Sequence, residues 1–251
     1  CYPSMSKGHR RIADYITENY DKAAFMTAAK LGDTVGVSES TVVRFASELG
    51  FSGYPRLQKA LQEVVKSRLT SVQRMEAAGG EDMLEHAFSS DIETIKITRE
   101  SISREAFNAS VEAINRARHI YVLGVRSAAS LASFAAFYLN FVYDSVTLIE
   151  PAGTGEAFDQ AFRINSDDVC IAISFPRYSK QTINMLRFIS DMGATVISVT
   201  DSENSPIAQF ATHLLLARNS MVSFVDSLVA PLSLINALIA AAAREKSGEV
   251  Y

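Results

Sequence analysis

The chain has 251 residues, 48% of them hydrophobic and 21% charged, with a formal net charge of −4. A chain this long buries a substantial core without disulfides, and its balance of apolar and charged residues excludes global disorder. No apolar run reaches the roughly 18 uncharged residues of a membrane span, so no membrane partner is expected.

The net charge averages two unlike segments. Residues 1–75 carry 11 Lys and Arg against 7 Asp and Glu, a balance of +4, and the remainder carries −8. A basic segment joined to an acidic one suggests that the first meets a polyanion. The start, Cys1-Tyr2-Pro3-Ser4, shows no apolar stretch of the secretory kind. The two cysteines, Cys1 and Cys170, lie far apart, which fits a reduced cytoplasm.

In chain order the first 104 residues read as helical. Ile12, Tyr15 and Ile16, and later Leu57, Leu61, Val64 and Val65, recur at three- and four-residue spacing. Between them, 27–35 reads as a helix ended by Gly36, which supplies positive φ to a turn. Val37 is expected to plug the core, and Ser38 to cap the next helix. That helix shows Val42, Phe45 and Leu49 on one face, opposite Leu31 and Val35, with Gly32 permitting a close crossing. This is helix-turn-helix geometry, in which the second helix enters the major groove of double-stranded DNA. Its outward residues Ser38, Glu39, Ser40, Thr41 and Arg44 are the candidate base and phosphate readers. Arg56, Lys59, Lys66 and Arg68 are candidate phosphate contacts, giving affinity without sequence reading.

The polar stretch 76–82, with its Gly79-Gly80 pair, reads as a linker, followed by a connecting helix over 83–103 and another over 105–116. Three divisions are therefore expected: 1–76, 77–104 and 105–251. From His119 the pattern changes to short β-branched runs at 119–123, 145–149, 168–174, 194–200 and 212–217. They are almost continuously apolar, as strands buried on both faces of a parallel sheet are. Helices are expected at 127–143, 155–163, 179–192, 206–210 and 224–244. The fold class that follows is an all-α helix-turn-helix head plus a doubly wound α/β domain with a parallel sheet.

Two strand ends carry candidate ligand chemistry. Gly124, Arg126 and Ser127 follow the first strand, where a glycine and a hydroxyl at a helix start suit an anion. Ser174, Arg177, Tyr178, Ser179, Lys180 and Thr182 follow the third. The hydroxyls can bond phosphate oxygens while Arg126, Arg177 and Lys180 neutralise them. First and third strand ends can adjoin at a switch point, so the two loops are expected to form one pocket.

The run Ser38-x-Ser40-Thr41-Val42-Val43-Arg44-Phe45, followed by Leu49-Gly50-Phe51-Ser52-Gly53-Tyr54, resembles the helix-turn-helix of RpiR-type bacterial regulators. The loops Gly124-x-Arg126-Ser127 and Ser174-Phe175-Pro176-Arg177-Tyr178-Ser179, with Thr200-Asp201 and Ser205-Pro206 in order, resemble the sugar isomerase (SIS) domain of those regulators. The resemblance spans essentially the whole chain. It implies a dimeric transcription factor that senses a phosphorylated sugar or related anionic metabolite. A homodimer or higher homo-oligomer is expected, and two-fold symmetry predicts an inverted-repeat operator in double-stranded DNA. Isomerase-like SIS domains have smaller residues where this chain has Arg126 and Phe175 to Tyr178.

The competing reading is a sugar-phosphate isomerase with a helical appendage. Such chemistry needs a base beside the sugar carbons, and Glu156, at a helix start after the second strand, is the best placed. A carboxylate there reads rather as a helix-start group favoured by the dipole. His119 and His213 begin strands, whereas His9 and His86 lie outside the α/β region, and none has metal-ligand spacing. No catalytic residue, metal or cofactor is therefore assigned.

Overall fold

Helices with one apolar stripe must bury it against each other, and those between residues 7 and 68 do so. The structure, a computed structural model, describes residues 5–68, 82–150, 154–221 and 225–248. It divides into two compact units, Cys1–Ala77 and Ala78–Tyr251. The first holds α1 (Lys7–Glu18), α2 (Tyr20–Ala23), α3 (Ala28–Val35), α4 (Glu39–Glu48) and α5 (Tyr54–Arg68). Hydroxyls start three of them: Ser6, Thr27 and Ser38 accept from the backbone N–H of His9, Lys30 and Thr41. Ile12, Leu31, Val35, Val42, Phe45, Ala46 and Leu57 form the core, with Val37 packed against it. Leu49 is the exception to the expected stripe. It is 39% exposed at the C-terminal cap of α4, and Ala46, one turn earlier, fills the buried position.

The second unit opens with α6 (Met83–Ser101) and α7 (Arg104–Arg116). The expected linker falls outside the described residues except for Asp82, whose carboxylate caps α6 by accepting from Leu84 and Glu85 N–H. A continuous helix to residue 103 does not form: Ile102 is extended, and Ser103 instead caps α7 through Ala106 N–H. There follow β1 (Ile120–Gly124), α8 (Ala128–Leu139), β2 (Val146–Ile149), α9 (Thr154–Ala161) and β3 (Val169–Ile173). Then come α10 (Lys180–Asp191), β4 (Thr195–Thr200), β5 (His213–Leu216), β6 (Ser220–Met221), β7 (Asp226–Ser227) and α11 (Val229–Gly248).

The five-stranded sheet has order β2-β1-β3-β4-β5, every pair parallel. Alternate residues of one strand serve opposite layers. Val122 and Ile171 join a core with Val111, Ile114, Leu131, Leu139, Ile235 and Leu238 of α7, α8 and α11. Leu123 and Cys170 join Met185, Leu186 and Ile189 of α10 on the other face. Burial pushes the Cys170 thiol up to about 12, so it is a packing residue. At the opposite end of the strands Arg118 forks onto buried Asp168, Nε to Oδ1 at 3.0 Å and Nη2 to Oδ2 at 2.7 Å.

Three helices differ from expectation. The helix after β1 ends at Leu139, where Asn140 caps it and a turn carries the chain to Tyr143. Residues 206–210 form only a short 3-10 turn at Ala208–Phe210. The last helix begins at Val229, because Asp226 and Ser227 pair antiparallel with Met221 and Ser220. No helix among the described residues is long and apolar enough to cross a membrane.

Candidate functional site

The register places Gly124 beside Ile173, so the loops after β1 and β3 leave the sheet together. Strand order reverses at β1, and such switch points hold ligands in open α/β sheets. A cavity of about 190 Å³ opens there, lined by Arg126, Ser127, Ser174, Arg177 and Ser179 together with Val125, Ala128, Phe175 and Pro176. Five of the nine residues read as ligand-binding therefore share one cavity. Ser127 opens α8 without a side-chain capping bond, which leaves its hydroxyl for another acceptor or donor. Ser174 is buried, at 4% exposure. Ser179 accepts from Gln181 N–H and caps α10.

The other four lie off the lining. Gly124 is a packing residue: a Cβ there would stand 2.6 Å from the Ala128 carbonyl oxygen. The Tyr178 hydroxyl donates to Asp201 Oδ1 at 2.5 Å, and burial, then that bond, raise its pKa. Lys180 is exposed on the first turn of α10. Thr182 is fully buried, and its hydroxyl has no hydrogen-bond partner among the described residues.

Arg126 and Arg177 have φ of 60° and 70°, the positive-φ residues other than glycine among those described. Left-handed backbone costs an arginine on the order of 1–2 kcal/mol, and such outliers gather at functional sites. Arg126 is exposed. Arg177 Nη2 donates to Asp226 Oδ2, a carboxylate that sequence reading missed because 224–244 read as one helix. No nearby motif marks it.

Of the enzymatic candidates, Glu156 has its side chain outside the described residues. His119 Nε2 is bonded to Thr147 Oγ1 at 2.8 Å, and burial lowers its pKa. Among the described residues no group of three His, Cys, Asp or Glu side chains could hold a metal ion. A second groove, of about 260 Å³, lies between α6, α7 and α11 with Ile95, Ile102, Phe107 and Leu234 in its walls. Thr98, Arg99, Arg104 and Ser233 also line it, but no residue of the loops after β1 and β3 does.

In the first unit, Gly36 adopts φ 69° and ends α3, and the turn runs Gly36-Val37-Ser38 into α4. Gly32 proves necessary at that turn, since a Cβ on it would meet the Val37 carbonyl oxygen at 2.8 Å. Arg11 of α1 donates from Nη1 to the Gly36 carbonyl and braces the turn, a contact that the sequence did not flag. Ser38 Oγ joins Ser40 Oγ at 2.9 Å and Thr41 Oγ1 at 2.8 Å. Glu39, Ser40 and Arg44 are exposed on α4, as are Arg56 and Lys59 on α5. The side chains of Lys66 and Arg68 lie outside the described residues.

A family model for the SIS domain matches residues 113–241, more than half the chain, and the helix-turn-helix model of the rpiR family matches residues 1–68. The chain belongs to the RpiR family of SIS-domain regulators. The HexR regulator of Pseudomonas aeruginosa is 25% identical over 215 residues, 83% of this chain and 73% of HexR. A helix-turn-helix-type transcriptional regulator of Haemophilus influenzae is 26% identical over 225 residues, 87% of this chain and 77% of that one. The RpiR transcription factor of Sphaerobacter thermophilus, solved as its sugar isomerase domain, is 30% identical with TM-score 0.58, over 65% of this chain and 94% of that one. The fold is similar to that of Vibrio vulnificus NanR, solved with ManNAc-6P, with TM-score 0.62 and 24% identity over 99% of this chain and 92% of that one. This RpiR-family protein is thus a DNA-binding transcriptional regulator with a SIS ligand-binding domain, and the Haemophilus influenzae and Pseudomonas aeruginosa proteins named above are likewise transcriptional regulators.

Proposed function

We propose that this RpiR-type regulator works in the cytoplasm as a homodimer on an inverted-repeat operator, and that a phosphorylated sugar or related anionic metabolite at the β1–β3 switch point changes its DNA affinity. The observation that carries the effector site is the convergence of Arg126, Ser127, Ser174, Arg177 and Ser179 on one cavity. Two guanidinium-bearing loops and three hydroxyls match the charge and acceptor count of a phosphate monoester. Gly124 and Tyr178 act on the site by holding the two loops; Lys180 and Thr182, off the lining, are assigned no contact. Ser38, Glu39, Ser40, Thr41 and Arg44 read the operator, while Arg56 and Lys59 take phosphates. Divisions at 1–76, 77–104 and 105–251 correspond to reader, connector and sensor.

A dimer is favoured by the exposed aromatic residues of α8 and its following turn. Phe137 and Phe141 are 58% and 74% exposed with ring centroids 5.1 Å apart, on a helix that carries no charged residue. Two-fold symmetry of the protein then matches two-fold symmetry of the operator. Effector control requires different effector affinities in the DNA-competent and incompetent states. The test is a screen of phosphorylated sugars, beginning with N-acetylmannosamine 6-phosphate, for thermal stabilisation and for altered operator affinity at fixed salt. At least one phosphate monoester is expected to do both. Stabilisation with unchanged DNA affinity across the screen removes the sensor role.

A further inference from the structure

Arg177 joins the effector cavity to a second set of polar contacts. Its guanidinium donates to Asp226, whose side chain is only 7% exposed. The next residue, Ser227, donates from its hydroxyl to Asp91 Oδ1 on α6. Asp226 and Ser227 make up β7, held antiparallel to β6 at Met221 and Ser220. The segment leading into β6 is also tied to α6, since Arg218 N–H donates to Thr98 Oγ1 at 2.9 Å. A continuous polar path therefore runs from the cavity through Arg177, Asp226, Ser227 and Asp91 to the first helix of the unit.

A guanidinium beside a cavity of anion size has two rival acceptors, the internal carboxylate and the bound anion. Donors taken by the one are withdrawn from the other. A carboxylate whose side chain is 7% exposed loses stabilisation when its cation turns to another anion. Displacement of Asp226 would shift β7, and Ser227 with it, away from Asp91.

We propose that Asp226 is the internal counter-anion of the effector cavity: it positions Arg177, competes with an anionic effector for it, and on displacement loosens α6 through Ser227 and Asp91. The inference rests on the reading of this cavity as an anion site.

The test uses the full chain, with inorganic phosphate as probe, titrated calorimetrically in low-salt buffer. Asp226→Asn is expected to bind phosphate about tenfold more tightly than the parent, within the usual range of coupling between sites. Arg177→Gln is expected to bind it more weakly, and adding Asp226→Asn to Arg177→Gln should change the affinity by less than about twofold. A gain that persists without Arg177 reflects removal of a nearby negative charge and overturns the competition. Equal affinities for parent and Asp226→Asn overturn the inference and leave the cavity reading standing. Absence of phosphate binding in every protein, up to high millimolar concentration, removes both. Asp226→Ser replaces Asp226→Asn if the latter does not fold. For the second half of the path, hydrogen exchange of residues 83–101 should quicken when phosphate is added to the parent. Asp91→Ala, which spares the bond from Val229 N–H to Ser227 Oγ, should quicken it beforehand and abolish the phosphate response. An α6 that ignores phosphate in the parent overturns the relay.

Discussion

Gly124 and Ala128 approach so closely that a Cβ on Gly124 would lie 2.6 Å from the Ala128 carbonyl oxygen, with Ala132 Cβ at 2.9 Å. The last residue of β1 is therefore the point at which α8 rests on the sheet, and α8 in turn presents Ser127 to the effector cavity. Backbone cannot yield as a flexible side chain does. Gly124→Ala should cost about 1–3 kcal/mol of unfolding free energy, the range of overpacked core substitutions, and should weaken phosphate binding by shifting Ser127. Urea unfolding with calorimetry checks both, and a variant of parental stability would show that the helix can lift away freely.

Arg126 combines a left-handed φ of 60° with exposure at the cavity. Glycine adopts that backbone freely, whereas alanine does not. Arg126→Gly should therefore exceed Arg126→Ala in stability by about 1 kcal/mol. Both variants should lose phosphate affinity, since both lose the guanidinium. Thermal melts and phosphate titration of the pair separate backbone from charge. Equal stability of the two variants would mean that the loop relaxes once the arginine is gone.

His119 stands just before β1, bonded to Thr147, and burial holds its pKa below the ordinary 6.5. As the pH falls through about 6.5 the unfolded chain takes up the proton before the folded one does. Stability of the SIS unit is thus fullest above that pH, and falls on acidification until the folded-state pKa is passed. His119→Gln should flatten this part of the profile, measured as denaturation midpoints between about pH 7.5 and pH 5. An unchanged slope would place the acid sensitivity in other groups.

Arg44 and Lys59 make different demands on DNA. Arg44→Ala should weaken operator binding more than binding to unrelated DNA, because a bidentate contact to guanine is sequence-dependent. Lys59→Ala should weaken both alike and lower the slope of log affinity against log salt by about 1. Anisotropy titrations at several salt concentrations measure both. Equal loss on the two DNAs would make Arg44 a phosphate contact.

The chemistry-bearing loops and most elements were legible because their signals are local. Alternation of apolar runs and helical periodicity marked all five strands of the main sheet to within one residue at either end. The capping hydroxyl at Ser38 was readable because a cap acts three residues ahead or fewer. Leu49 was misplaced on the buried face because helical spacing does not say where a helix ends. Residues 224–244 read as one helix because the sequence does not show strand partners, and Asp226 with Ser227 pairs with Ser220 and Met221.

Two unlike segments, one basic and helical and one acidic with parallel-sheet strands, are a property of the sequence by itself. So are the turn at Gly36 and the hydroxyl and arginine loops after β1 and β3, since each depends on residues a few positions apart. The tertiary structure alone decided which of these loop residues share a cavity. Strand order put β1 beside β3; close packing made Gly124 a spacer, and Asp201 drew Tyr178 aside. It alone supplied Asp226 to Arg177, a pairing across 49 positions. Contacts at that separation depend on the packing of whole elements and leave no periodic trace in the chain.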